Sequence, residues 1–234
     1  SIEEVLREIV KLLREVLERL IRVDERLVEA LKRVAEKNIE VLRRAVDALR
    51  KVLELLRRGQ DKRDVDRELR RVLDEVKKEI ERSIEELKRV LEEHRRRIRK
   101  IIEELKRVLE EARRKLKSER LLEKLTRLVE KTIRAIEKLH REWERILREH
   151  IRLLEELLKR LKELLDELRK LIEDGEDEET VIRRVEDVLR DLLRRLEEVV
   201  RRSTEEAKRL LKESRDVVRD VEKTLRELLE ELRR

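Results

Sequence analysis

The second quarter of the chain, residues 62–116, reads KRDVDRELRRVLDEVKKEIERSIEELKRVLEEHRRRIRKIIEELKRVLEEARRKL. Its apolar residues recur every three or four positions, which is the spacing of one face of an α-helix. Positions 18 residues apart repeat that face, in the series Val65, Ser83 and Ile101 and the series Leu69, Leu87 and Leu105. Eighteen residues make about five helical turns, whereas a heptad or an eleven-residue repeat would impose a supercoil. The stretch therefore predicts one long, nearly straight helix.

The other three quarters of the chain follow the same 18-residue period. The series are Ile2, Leu20, Asn38 and Leu56 in the first quarter, Leu125, Trp143 and Leu161 in the third, and Val185, Ser203 and Val221 in the fourth. A period shared by all four quarters predicts four amphipathic helices that can bury a common apolar face.

Three short breaks separate the quarters. Gly59 and Gly175 suit the left-handed position that follows a helix end, and the N-cap candidates are Asp61, Ser118 and Asp177. We predict helices at about 2–58, 62–116, 119–173 and 178–232, each on the order of 80 Å long. Loops this short make each helix run antiparallel to the previous one. We therefore expect an all-α fold, a single-chain antiparallel up-down-up-down four-helix bundle that forms a single domain over residues 1–234.

Composition supports helices and excludes several classes of protein. Charged residues make up 54% of the chain, yet 38% of residues are apolar and recur at helical spacing, which favours a buried core over disorder. The two signs of charge are interleaved, with a net charge of +7, as is typical of soluble helices. Cysteine is absent, which excludes thiolate chemistry. No apolar stretch approaches the roughly 18 residues of a membrane span.

One basic run raises the question of nucleic-acid binding: Arg95, Arg96, Arg97, Arg99 and Lys100. A groove for nucleic acid combines clustered positive charge with aromatic residues for stacking. Such aromatic residues are missing here and acidic residues flank the run, so we interpret it as a solvated helix face. We expect no nucleic-acid, membrane or other required partner, and we expect a monomer because four helices close one core.

The chain resembles de novo designed, parametrically generated helical bundles with an untwisted 18-residue repeat. The resemblance covers the whole chain. It rests on the strict repeat, the nearly equal helix lengths, the Gly–polar loops and the absence of Pro, Met, Tyr and Phe. Designs of this kind often carry buried hydrogen-bond networks. The resemblance implies a structural scaffold that is not an enzyme and has no natural biochemical activity.

Polar residues interrupt the apolar face of every helix. Counting from the bundle ends places four at one height: Asp24, His94, His140 and Ser214. Four others fall at a second height: Asn38, Ser83, His150 and Ser203. Thr132 also interrupts the face, and Thr204 and Thr224 lie at its margin. An unpaired polar group in a core costs about 1–3 kcal/mol, so we expect the members of each layer to satisfy one another. Such layers favour a single register, because only one register pairs every group.

The first layer also permits a metal-site hypothesis. Two imidazoles and a carboxylate could bind Zn²⁺ with an open fourth position, using His94, His140 and Asp24 as ligands. The Glu-x-x-His string of carboxylate-bridged di-metal bundles occurs as Glu137 to His140, but Glu137 points to solvent and no partner set exists. Our primary prediction is that no metal is bound.

Haem binding, hydrolysis, pH response and helix exchange are further alternatives. A haem could use His94, His140 or His150 as ligands, although only Ala30 and Ala207 would make room for it. A triad of Asp24, His94 and Ser214 would lack an oxyanion hole, because mid-helix backbone N–H groups are already bonded. Buried neutral imidazoles would make acid destabilising, an effect that Asp24 would weaken. One helix could also detach to bind a partner. We predict no cofactor.

Trp143 lies on the core face just above His140. We interpret it as a large core filler, with a ligand-pocket wall as the alternative. A buried indole N–H needs an acceptor, and we expect the neighbouring polar layer to supply one.

Overall fold

A computed structural model describes residues 1–234 and contains four helices and no strands. The helices are α1 (Ile2–Arg57), α2 (Lys62–Lys115), α3 (Glu119–Glu173) and α4 (Glu178–Arg233). The predicted all-α class is confirmed, and every helix boundary lies within one residue of its predicted position. None of the four helices holds a stretch long and apolar enough to cross a membrane.

Glycine ends α1 and α3 in the same way. Gly59 has a φ of 85° and Gly175 a φ of 73°. The Gly59 N–H donates to the Leu56 carbonyl at 3.0 Å, and the Gln60 N–H donates to the Leu55 carbonyl at 3.1 Å. This pair of bonds is the Schellman motif, which satisfies the last carbonyls of a helix. Side chains cap the N-termini of α2 and α3. Asp61 accepts a hydrogen bond from the Arg63 N–H before α2, and Ser118 accepts one from the Leu121 N–H before α3.

Replacing Gly59 with alanine should lower the free energy of unfolding by about 1 kcal/mol. No atom lies within 4 Å of the Cβ that would be added, so the cost is the strained positive φ and not a steric clash. Chemical denaturation measures this change. Gly59→Asn should cost less, because asparagine tolerates the left-handed conformation. Equal losses for alanine and asparagine would contradict the assignment.

Contacts between charged side chains show that neighbouring helices run antiparallel. On α1 and α2, Arg19 contacts Glu104 and Arg33 contacts Glu86, so rising residue numbers on one helix meet falling numbers on the other. The same reversal is found in the other three pairs of neighbouring helices. Glu3 contacts Arg233 and Arg57 contacts Glu179 between α1 and α4, and Arg95 contacts Glu144 and Lys88 contacts Glu155 between α2 and α3. Between α3 and α4, Lys124 contacts Glu231 and Arg184 contacts Glu167. Each helix thus has two antiparallel neighbours, and the chain is a four-helix bundle.

The chain forms two compact units, each with a segment of every helix. Unit 1 comprises residues 1–30, 90–146 and 205–234, and unit 2 comprises residues 31–89 and 147–204. The core of unit 1 includes Leu17, Leu20, Leu105, Leu125 and Leu225. The core of unit 2 includes Leu42, Leu49, Leu73, Leu161 and Leu189. Fully burying such a leucine contributes about 1.5–3 kcal/mol, so apolar burial dominates the stability of each unit. A single domain over residues 1–234 stays a prediction.

Candidate functional site

A buried polar network crosses the core of unit 1 and takes a side chain from each of the four helices. Asp24 lies on α1, His94 on α2, His140 on α3 and Ser214 on α4. The structure brings these four residues, which share the first predicted layer, into one hydrogen-bonded chain. Each occupies a position on the inward face of its helix, so the 18-residue period that builds the core also aims the network into it.

Asp24 is the most buried acidic group of the network, with 2% of its surface exposed. Its Oδ2 accepts a hydrogen bond from the Ser214 hydroxyl at 2.8 Å, and its Oδ1 lies 3.2 Å from Nε2 of His94. A carboxylate without partners in a core costs far more than a neutral polar group. The two contacts therefore offset part of the free-energy cost of burying Asp24 in a core that is otherwise apolar.

His94 and His140 meet through their ring nitrogens. Nδ1 of His140 lies 3.1 Å from Nδ1 of His94, while the ring centroids are 5.0 Å apart and the planes differ by 25°. The two planes are close to parallel, and a hydrogen bond between the two Nδ1 atoms joins the rings. One nitrogen must donate and the other accept.

Glu144 and Arg95 extend the network on its more exposed side. Oε1 of Glu144 lies 2.9 Å from Nε2 of His140, and the Arg95 guanidinium binds both oxygens of Glu144, at 2.6 and 3.3 Å. Bidentate pairing of this kind is strong and directional. These two residues do not interrupt the apolar stripe, so the stripe did not single them out. The sequence feature that could have identified them is their spacing from the histidines, because Glu144 lies four residues after His140 and Arg95 directly follows His94.

Burial lowers the pKa of His140, and the positive charge of a protonated His94 would lower it further, whereas Glu144 opposes both effects. His140 is also the less buried imidazole, with 17% of its side chain exposed against 2% for His94. Because the positive charge of one ring disfavours a positive charge on the other, the two rings do not both become charged easily.

The second predicted layer, in unit 2, is only partly bonded. The Ser83 hydroxyl donates to Oδ1 of Asn38 at 2.8 Å, and Ser203 is buried on α4. Neither ring nitrogen of His150 has a hydrogen-bond partner, and neither does Nδ2 of Asn38. The expectation that all members of this layer satisfy one another is therefore wrong. His150 has no exposed surface, and burial lowers its pKa to about 4.

Three threonine hydroxyls at or beside the core face bond within their own helices, whereas the Trp143 indole N–H does not. The hydroxyls of Thr132, Thr204 and Thr224 donate to the carbonyls of Leu128, Val200 and Asp220 in their own helices. Trp143 is 1% exposed, in agreement with its interpretation as core filler. Its indole N–H has no hydrogen-bond partner, so the acceptor expected from the polar layer is not supplied.

The order of contacts argues against a metal site at Asp24, His94 and His140. Asp24 faces Nε2 of His94 while His140 faces Nδ1 of the same ring. The three candidate ligands therefore form a line and do not converge on one point, as tetrahedral ligands must. No group of three or more His, Cys, Asp or Glu side chains converges in this way in the structure. Glu137, the first residue of the Glu-x-x-His string that ends at His140, is exposed on α3.

Contacts also argue against haem binding and hydrolysis at the same residues. A haem iron lies between its axial nitrogens, whereas His94 and His140 are in direct contact through theirs. In a hydrolytic triad the imidazole lies between the hydroxyl and the carboxylate. Here the Ser214 hydroxyl donates to Asp24, so the carboxylate takes the central place and no imidazole faces the serine.

A scan against protein-family models and a search of curated proteins give no match to this chain. The fold and the site define its class, which is an all-helical antiparallel bundle with a buried His–Asp pair and hydrogen-bonded polar side chains in its core.

Proposed function

We propose that this chain is a de novo designed structural scaffold, whose buried network selects one arrangement of its helices. The proposal rests on the hydrogen-bonded series Ser214–Asp24–His94–His140, which takes one side chain from each of the four helices. A side chain from every helix is needed to complete it.

The apolar faces of the helices permit several registers that compete with the observed one. Leucine and valine faces pack acceptably in several registers, because dispersion and burial have little directional preference. Sliding one helix by a turn displaces it by about 5.4 Å, which breaks every hydrogen bond of that helix to the network. Each polar group left buried and unpaired then costs about 1–3 kcal/mol. The network thus penalises wrong arrangements more than it stabilises the right one.

Designed origin is supported by regularity. The four helices contain 56, 54, 55 and 56 residues and keep one 18-residue period, with two Gly and no Pro, Met, Tyr or Phe. Idealised helix lengths and strong helix formers at surface positions are the usual choices of a designer.

The proposal includes no catalysis. Surface depressions in unit 1 and unit 2 are lined largely by charged side chains of opposite sign, among them Arg19, Glu104 and Arg107 in unit 1 and Lys37, Glu40 and Arg44 in unit 2. Substrate pockets are more often concave and apolar with a few convergent polar groups. The depressions fit solvated grooves between helices.

The test is an apolar-network variant that carries Asp24→Leu, His94→Leu, His140→Leu and Ser214→Ala. Its free energy of unfolding should equal or exceed that of the parent, because replacing a whole buried polar set by apolar groups is often neutral or stabilising. Its amide NMR spectrum should show more than one signal for many residues, since several registers become comparable.

The matched control carries Thr132→Val and Thr204→Val, which remove hydroxyls that bond only within their own helices. It should keep one signal for each amide. An apolar-network variant that loses several kcal/mol of stability yet keeps one signal for each amide would overturn the proposal, because the network would then act on stability alone.

A further inference from the structure

Asp24, His94, His140 and Glu144 form an unbroken line of ionisable groups. The contacts are 3.2 Å from Asp24 Oδ1 to His94 Nε2, 3.1 Å between the two Nδ1 atoms, and 2.9 Å from His140 Nε2 to Glu144 Oε1. All four ring nitrogens are engaged. Every contact is short enough to be a hydrogen bond and therefore needs a hydrogen between its two atoms.

The number of hydrogens that these contacts need fixes the charge of the two imidazoles. Three contacts need three hydrogens, and two neutral imidazoles supply only two N–H groups. With both rings neutral, an imidazole lone pair would face either a carboxylate or the other lone pair. One additional proton on His94 or His140 removes the conflict, and the two resulting forms differ only in which Nδ1 carries the central hydrogen.

The charges around the two imidazoles favour the additional proton. Asp24 and Glu144 each contribute a negative charge, and Arg95 is shared between two carboxylates, because it binds Glu144 and also lies 2.7 Å from Glu92. The groups that face the two imidazoles are Asp24 from α1, Arg95 from α2 and Glu144 from α3, while α4 contributes the neutral Ser214 hydroxyl. A proton on the imidazole pair lies between the carboxylates of Asp24 and Glu144 and is stabilised by their negative charge.

A second additional proton is excluded by the central contact. Only one hydrogen fits between two nitrogens 3.1 Å apart, and a doubly protonated pair would set two N–H groups against each other. Burial and the charge of His94 lower the pKa of His140, which acts in the same direction. Protonation of one ring therefore opposes protonation of the other.

We propose that His94 and His140 together form a binding site for a single proton, held between Asp24 and Glu144. This inference does not depend on the scaffold being designed or on its role in register. The proton exchanges with solvent at the His140 end, because the side chains of His140 and Glu144 are 17% and 19% exposed whereas those of His94 and Asp24 are 2% exposed.

The experiment is nitrogen NMR of the intact protein with ¹⁵N-labelled histidine. Ring nitrogens that carry hydrogen differ strongly in chemical shift from those that do not. His150→Leu identifies the signals of His150 by their loss, which leaves the pair. At pH 7.5 the pair should show three protonated nitrogens and one acceptor nitrogen. Two protonated and two acceptor nitrogens would overturn the proposal, and so would four protonated nitrogens at pH 6.

A charge variant tests what holds the proton. Glu144→Gln removes one carboxylate at the partly exposed end, so the pair should lose its proton at a pH lower by about one unit or more. The matched control is Glu130→Gln, which removes the same charge from an exposed position of α3 and should leave the titration unchanged. Equal titrations of the two variants would contradict the role of Glu144.

Discussion

Replacing His94 with leucine should lower the free energy of unfolding by about 3–5 kcal/mol. The substitution leaves Asp24, which is 2% exposed, with the Ser214 hydroxyl as its only remaining partner in the network. It also removes the ring that contacts His140. A buried carboxylate that loses its counter-charge must either remain ionised at high cost or take up a proton. Chemical denaturation at pH 7.5 measures the loss.

The same substitution at His150 is the control, because both histidines lie in the core of a unit. His150 has no hydrogen-bond partner at either ring nitrogen, so leucine removes two unsatisfied polar atoms and breaks no bond. We expect His150→Leu to raise the free energy of unfolding by about 1–3 kcal/mol. Losses of similar size at the two positions would show that shape, and not the hydrogen-bonded charge, decides the effect of His94→Leu.

Acid should destabilise the protein through His150. Burial lowers the pKa of this ring from 6.5 to about 4 in the folded state. Between those values the unfolded chain binds a proton that the folded chain does not, so stability is lost as the pH falls below 6.5 and is unaffected above it. The full effect of one pKa shift of this size is about 3 kcal/mol.

The measurement compares free energies of unfolding at pH 7.5 and pH 4.5 for the parent and for His150→Leu. The difference between the two pH values should be smaller in the variant, by an amount approaching the full effect. Carboxylates elsewhere titrate equally in both proteins and cancel. An identical pH dependence would mean that His150 is reached by solvent or finds a partner in the folded state.

Much of the fold could be predicted because it depends on local chemistry. Gly59 and Gly175 end helices wherever they occur in such a pattern, and the 18-residue period then assigns an inward face to every turn. Residue counting from those ends also places Asp24, His94, His140 and Ser214 at one height. Short loops make that counting reliable to within about a turn.

The connections within the layer could not be predicted, since they depend on side-chain direction and not on height. Counting residues from the helix ends places both His94 and His150 in a polar layer. Of these two, only His94 has ring nitrogens with hydrogen-bond partners. Glu144 was missed because it lies beside the apolar stripe, although it is four residues from His140 and so shares a face of α3 with it. The order of partners, and with it the hydrogen count, emerges only from the packed core.

A distance measurement tests most directly whether the network selects one register of the helices. The chain has no cysteine, so Arg26→Cys on α1 and Lys212→Cys on α4, both at exposed positions of unit 1, accept a pair of spin labels. Pulsed electron paramagnetic resonance should give one narrow distance distribution in the parent. In the apolar-network variant it should give a broadened or multiple distribution, with displacements of about one helical turn, or 5.4 Å. The same single narrow distribution in both proteins would contradict the claim.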